Sequence, residues 1–363
     1  MSLTMPSAMQ IANLVEPLLR KNGVGVVVGV AMPGQSQLFF NFAGGFTAVD
    51  GSELTLDGDT IFAIASISKT FDATLYAWAN LSSSATLGSY TPAGARPVGS
   101  NYAAITLLSL ATYSSGLPQD NISPRFPPDQ KQPYTVVEMF DYLATNPFPI
   151  EPQQGYAYSN LGFALLGAAV AVTAGSNGQD WASLLRSKIT TPLGIDFTTL
   201  DVVSHSLLPQ SYHSSGGPAG AKTIQFPAYI PAGGLVVSGN TFMTWLQYNM
   251  GLSSSAGLNP LLAQTLTPSG VQTPAKADLC LGWFYSPHAN ILSKDGAILG
   301  YNSLVSIVGT TEPGTDQSPA GVFIFINQRT KMLSKVMAGI FDIINDTTGS
   351  AAVETPELDA QES

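Results

Sequence analysis

Apolar positions at Ile11, Leu14, Val15, Leu18 and Leu19 recur at helical spacing, and Asn22-Gly23 supplies a stop. Pro17 inside that pattern is expected to bend the helix or displace its start. Residues 24–30 read as a β-branched strand, Pro33-Gly34 as a turn and residues 37–42 as a second strand, a hairpin signal. The loop Asp57-Gly58-Asp59-Thr60 then delivers the chain to an apolar run ending at Ser66. Beyond it the spacing predicts helices over residues 71–81, 136–143, 161–173 and 181–188, separated by loops rich in Pro, Gly and Ser. The proline-rich loop 117–133 is of a length usually functional or mobile in compact proteins. Strand texture returns at residues 281–286, 291–294, 304–308 and 322–327, before a closing helix over 331–344.

Strands at both ends with helices between them predict one sheet completed by the two termini. The fold class read from this order is α/β (α+β), one sheet flanked by helices with a mostly helical domain inserted. Residues 1–69 and 281–346 are expected to form the α/β domain and 70–280 the insertion. The acidic end, 347–363, lacks apolar periodicity and is expected to be disordered. A cleft between sheet and helices is the usual place for a small-molecule site.

Composition narrows the function. At 363 residues with 45% hydrophobic and only 10% charged residues, the chain can bury a large core. A net charge of −10, with no basic run, argues against nucleic acid or an anionic membrane surface as partner. No stretch of ~18 apolar residues suggests a membrane span. No signal peptide is visible, so the sequence as it stands reads as cytoplasmic, or as secreted if a leader has been removed. The lone Cys280, in an apolar setting, reads as a buried structural thiol. His205, His213 and His288 lack metal-ligand spacing, so neither a metal nor another cofactor is expected.

The chemistry centres on Ser66 and Lys69. If Ser66 opens a helix, Lys69 at i+3 shares its face, and a desolvated lysine can help remove the serine proton. No Gly-x-Ser-x-Gly elbow is present, which disfavours a histidine triad. Tyr158-Ser159-Asn160 precedes an apolar helix and offers a phenol and an amide. A phenol among cations would have a lowered pKa and serve as general base, whereas the plainer alternative is a packed aromatic beside Asn160 as helix cap. Lys294-Asp295-Gly296 ends a predicted strand. It offers a cation and a close backbone approach, or else an exposed hairpin turn.

In this order Ser66-x-x-Lys69, Tyr158-Ser159-Asn160 and Lys294-x-Gly296 resemble the active-site set of class C β-lactamases, D-alanyl-D-alanine carboxypeptidases and β-lactamase-fold esterases. Ser115-Gly116-Leu117-Pro118, Pro192-Leu193-Gly194, Pro231-Ala232-Gly233-Gly234-Leu235 and Leu281-Gly282-Trp283 extend the similarity from about residue 10 to 345. The resemblance implies a β-lactamase/transpeptidase-like fold, its sheet antiparallel, and an acyl-enzyme on Ser66, with Lys69 assisting proton transfer and Tyr158 as general base. It implies that Asn160, Lys294 and Gly296 bind substrate and that the N–H groups of Ser66 and Ala297 form the oxyanion hole.

Asp295 departs from the family's Lys-Thr-Gly. It removes a hydroxyl that would bind a β-lactam carboxylate and adds a negative charge beside Lys294. The expected activity is hydrolysis of an ester or amide in a small molecule or short peptide, with weak β-lactamase activity at most. Acyl transfer to an amine or alcohol is the alternative, and a non-catalytic penicillin-binding-like relative is the other class. Oligomeric state is not legible in the sequence.

Overall fold

The computed structural model describes residues 3–120, 134–146, 155–219, 226–253, 255, 257–309 and 318–345. The expectations for loop residues 121–133 and for the acidic tail lie outside the described residues. The first helix, Ala8–Val15, begins with a reciprocal cap: Gln10 N–H donates to the Ser7 hydroxyl at 3.3 Å and Ser7 N–H to the Gln10 side chain at 2.9 Å. Pro17 falls in the 3-10 turn Glu16–Leu18 that follows, so the helix ends at the proline rather than bending around it.

The expected hairpin consists of β1 (Gly25–Met32) and β2 (Gln35–Phe42), with Met32 paired to Gln35 across the turn. Strands β3 (Ile61–Ala63), β4 (Thr198–Thr199) and β5 (Leu235–Ser238) form a small sheet in the order β3-β5-β4, which the hydrophobic pattern did not announce. The C-terminal strands are β6 (Asp278–Leu279), β7 (Phe284–Ser286), β8 (Ile291–Ile298), β9 (Tyr301–Val308) and β10 (Ala320–Ile326). They join the hairpin in one antiparallel sheet, ordered β2-β1-β10-β9-β8-β7-β6 among the described residues.

Two expected strand boundaries are corrected. Residues 281–286 are not one strand: a turn, closed by Cys280 N–H donating to Trp283 O at 3.0 Å, separates β6 from β7. Gly282 holds φ +73° there, and a Cβ would stand 2.8 Å from the Lys69 carbonyl oxygen. Lys294-Asp295-Gly296 is neither a strand end nor a hairpin turn. It lies within β8, with Asp295 opposite Leu304 and Gly296 opposite Ser303. The turn comes later, at Leu299 (φ +47°) and Gly300 (φ +88°), where two successive positive φ angles reverse the chain.

Helices cover both faces of the sheet, so β1 is buried at every position instead of alternating. Val26, Val28 and Val30 pack with Ile11, Val15 and the terminal helix Leu333–Ile344. Val27, Phe323 and Phe325 belong to the larger core under the inserted helices. There α2 (Ser68–Ala79) packs beside the helix Asn160–Thr173, which is buried from Leu161 through Ala171. Phe71 of α2 stacks on Trp245 with centroids 3.8 Å apart. These two helices and the edge of β8 carry the site.

Candidate active site

Ser66 sits in the 3-10 turn Ala65–Ile67 that leads into α2, one step before the helix it was expected to open. Ala65 ahead of it holds φ +48°, an uncommon conformation for a residue with a Cβ. Its neighbour is clamped on both sides. Ile64 N–H donates to Leu235 O at 3.0 Å, and Ile64 O accepts from the Ser303 hydroxyl at 2.8 Å. The turn is therefore fixed between the small sheet and β9, and Ser66 remains half-buried at the surface of the site.

Lys69, in the first turn of α2, is fully buried. Its Nζ lies 3.0 Å from Ser66 Oγ, 2.7 Å from Asn160 Oδ1 and 2.5 Å from Ala232 O. The two carbonyl oxygens can only accept. Ser66 is thus the one of these three partners that could give Lys69 a proton. Burial, then the nearby Lys294, holds the Lys69 pKa well below its ordinary value, with Asp120, Asp295 and Asp72 opposing.

The phenol of Tyr158 donates to Ser66 Oγ at 2.7 Å. Its ring stacks on fully buried Tyr113, whose own hydroxyl donates to Gly282 O at 3.1 Å. The expected lowering of the Tyr158 pKa is overturned. Burial first, and the carboxylate of Asp295 second, push it well above the ordinary value, outweighing the Ser66 hydrogen bond. The cations do not rescue it: Lys294 stands over the Tyr158 ring but spends its hydrogen bonds on residue 295, with Nζ donating to Asp295 O at 2.8 Å and to Asp295 Oδ1 at 3.3 Å. Burial also lowers the Lys294 pKa, against the opposing pull of Asp295.

Asn160 is not the helix cap. Ser159 takes that position, accepting from Gly162 N–H at 2.8 Å and donating to Pro118 O at 2.7 Å. The Asn160 side chain is thereby free to reach Lys69. Gly296 brings β8 against the Ser66 turn so closely that a Cβ would stand 2.4 Å from Ile64 O. Ala297 follows it in the strand, opposite Asn302.

Ser66, Lys69, Tyr158 and Asn160 thus meet through direct hydrogen bonds. Gly296 lies against the Ser66 turn, and Lys294 stands 5.5 Å from the centre of the Tyr158 ring. Three participants went unforeseen. Tyr113 backs the phenol, Ala232 O holds the lysine, and half-buried Asp120 accepts a hydrogen bond from the Asn160 side chain. The motif blocks 115–118 and 231–235 lie next to all three, but no local spacing ties Asp120 to Asn160.

Comparisons with known proteins identify the class to which this fold belongs, the β-lactamase-like serine hydrolases. The β-lactamase family model matches residues 11–340, so the chain belongs to the β-lactamase family and is a serine hydrolase of it. D-alanyl-D-alanine-carboxypeptidase/endopeptidase AmpH of Escherichia coli K12 is 27% identical over 285 residues, covering 74% of this chain and 71% of that protein. A β-lactamase of Pseudomonas fluorescens is 29% identical over 283 residues, covering 76% and 73%. The crystal structure of a class C β-lactamase from Rhodobacter sphaeroides superposes with a TM-score of 0.71 at 23% identity, covering 93% of this chain and 99% of that one. It shares the β-lactamase/transpeptidase-like fold. Among the described residues, no helix is long and apolar enough to cross a membrane.

Proposed function

We propose that the protein cleaves an ester or amide bond of a small molecule or short peptide through an acyl-enzyme on Ser66. The observation that carries this reading is the convergence on Ser66 Oγ of the Lys69 amine at 3.0 Å and the Tyr158 phenol at 2.7 Å. In the proposed cycle neutral Lys69 takes the Ser66 proton as Oγ attacks the acyl carbon. Tyr158 gives its proton to the departing oxygen or nitrogen and is reprotonated by the Lys69 ammonium. Water then takes the place of Ser66: neutral Lys69 accepts its proton as it attacks the acyl carbon, Tyr158 gives its proton to Ser66 Oγ as the ester bond breaks, and the Lys69 ammonium reprotonates Tyr158, which releases the acid and restores Ser66. This departs from the general-base role expected of Tyr158, because a phenol with a raised pKa keeps its proton at neutral pH and so begins the cycle with one to give rather than as a free phenolate.

The N–H groups of Ser66 and Ala297 are the proposed oxyanion donors, each worth roughly 3 kcal/mol in such sites. Asn160 and Lys294 are the proposed substrate contacts. The names of the relatives, a carboxypeptidase/endopeptidase and a β-lactamase, are consistent with acyl chemistry at a serine. The test is intact-protein mass spectrometry after brief exposure to short-chain esters, D-amino-acid peptides and β-lactams. A covalent increment on the native chain, absent from Ser66→Ala, together with Ser66-dependent turnover, is expected. Equal turnover by Ser66→Ala refutes the reading.

A further inference from the structure

Among the described residues, two carboxylates stand at the site, and neither has a role in the cycle above. Asp295, 34% exposed at its side chain, accepts from the Lys294 ammonium at 3.3 Å, and its own carbonyl accepts from the same nitrogen at 2.8 Å. Lys294 is buried and has three donors, of which residue 295 already uses two. A substrate carboxylate arriving there meets a cation already neutralised, beside a carboxylate that repels it. Asp120, for its part, is bonded to a neutral amide, and among the described residues no cation pairs with it directly. Asp120 and Asp295 both act electrostatically on Lys69 and on Tyr158, so both negative charges are felt at the reacting atoms.

We infer that this crevice selects its acyl donors by charge, favouring those with a cationic group, accepting neutral ones and rejecting those with a carboxylate, with Asp120 and Asp295 as the specificity-determining residues. The inference rests on the acyl-transfer reading of Ser66. It goes further in naming the substrate class. The net charge of −10 acts in the same direction at long range, drawing cations towards the protein.

The test uses three p-nitrophenyl esters of matched length: hexanoate, the monoester of adipate with its free carboxylate, and 6-(trimethylammonio)hexanoate. At low ionic strength kcat/KM should fall in the order cationic, neutral, anionic, with about a hundredfold between the extremes. The span should shrink as salt is raised, because half-exposed charges are screened. Asp295→Asn and Asp120→Asn, which preserve shape, should each narrow the span by about tenfold. A span below threefold in the native enzyme, or one that neither variant changes, overturns the inference even if all three esters turn over at Ser66. If no ester shows Ser66-dependent turnover, the hydrolase reading fails, and alkylboronic acids with the same three end groups, titrated calorimetrically, decide the charge question separately. The same order of affinities, narrowed in both variants, upholds the charge selection; equal affinities overturn it.

Discussion

The rings of Tyr113 and Tyr158 lie 5.1 Å apart at their centroids and 13° from parallel, so the phenol that reaches Ser66 is backed by a second, fully buried tyrosine. Phe163 at 5.0 Å and Phe284 at 5.4 Å surround Tyr113 in turn. The stack restricts where the Tyr158 hydroxyl can point without touching substrate. Tyr113→Ala should therefore lower kcat by at least about tenfold with a smaller change in KM, the signature of lost positioning. It should also cost about 3–5 kcal/mol of stability. Tyr113→Phe, which keeps the ring and loses only the bond to Gly282 O, should cost about 1 kcal/mol. Denaturant unfolding and steady-state kinetics on the three proteins separate these outcomes.

The pH profile follows from the two proton carriers. Lys69 must be a free amine to take the Ser66 proton, and burial holds its pKa well below 10.5. Activity is therefore lost as pH falls through that lowered value and is retained above it. Tyr158 must keep its proton, and burial with Asp295 holds its pKa well above 10.0, so any loss on the alkaline side begins above that point. The expected kcat/KM profile has one acidic limb and a plateau up to about pH 10. Tyr158→Phe should lower kcat by ~100-fold while leaving the acidic limb in place. A limb that vanishes in Tyr158→Phe would reassign the base to the phenol.

The site was legible wherever the chemistry sat in a short motif. Ser66, Lys69, Tyr158 and Asn160 could be read because each motif fixes two side chains on one local element, and hydrogen bonds now join them across 91 or 92 positions of sequence. Asp120 could not, because its link to Asn160 depends on a loop docking against a helix start, where Asn160 N–H donates to Gln119 O at 2.7 Å. The direction of the Tyr158 pKa shift is hidden in the sequence for a similar reason. Sequence shows that two lysines are present but not that Lys294 spends its donors on Asp295. The sheet and its covering helices followed from hydrophobic periodicity, whereas Asp295-Gly296 looked like a turn and is strand. Pairing with β9 from Ile291 to Ile298 outweighed the local preference.

Gly296 owes its place to space rather than to chemistry. A Cβ there would stand 2.4 Å from Ile64 O and 2.5 Å from Ser303 Oγ. The first is a backbone atom in the clamp that holds Ser66, so it cannot simply rotate away. Gly296→Ala should push β8 from the Ser66 turn, costing about 1–3 kcal/mol of stability. Since Ala297 moves with the strand, kcat should fall by at least about tenfold. Unchanged kcat alongside reduced stability would separate β8 from the oxyanion site.

Asp72 lies one turn beyond Lys69 on α2, fully buried, with Trp181 Nε1 donating to Oδ1 at 2.7 Å and, among the described residues, no hydrogen-bond partner at Oδ2. Burial raises its pKa well above 3.8, against the smaller opposing effects of Trp181 and Lys69. In the folded protein the carboxyl stays protonated at pH values where the unfolded chain has released the proton. A raised pKa of this kind gives stability that is fully present below the unfolded value and is lost as pH rises towards the folded one. Asp72→Asn keeps an oxygen for Trp181 and cannot titrate. The stability of the native protein minus that of the variant should therefore fall with rising pH from about 4 upward, by up to ~1.4 kcal/mol per pH unit, and level off above the folded pKa. Urea unfolding of both proteins between pH 4 and 8 measures that difference directly, and a flat difference would mean that Asp72 is ionised in the folded state, held by Lys69.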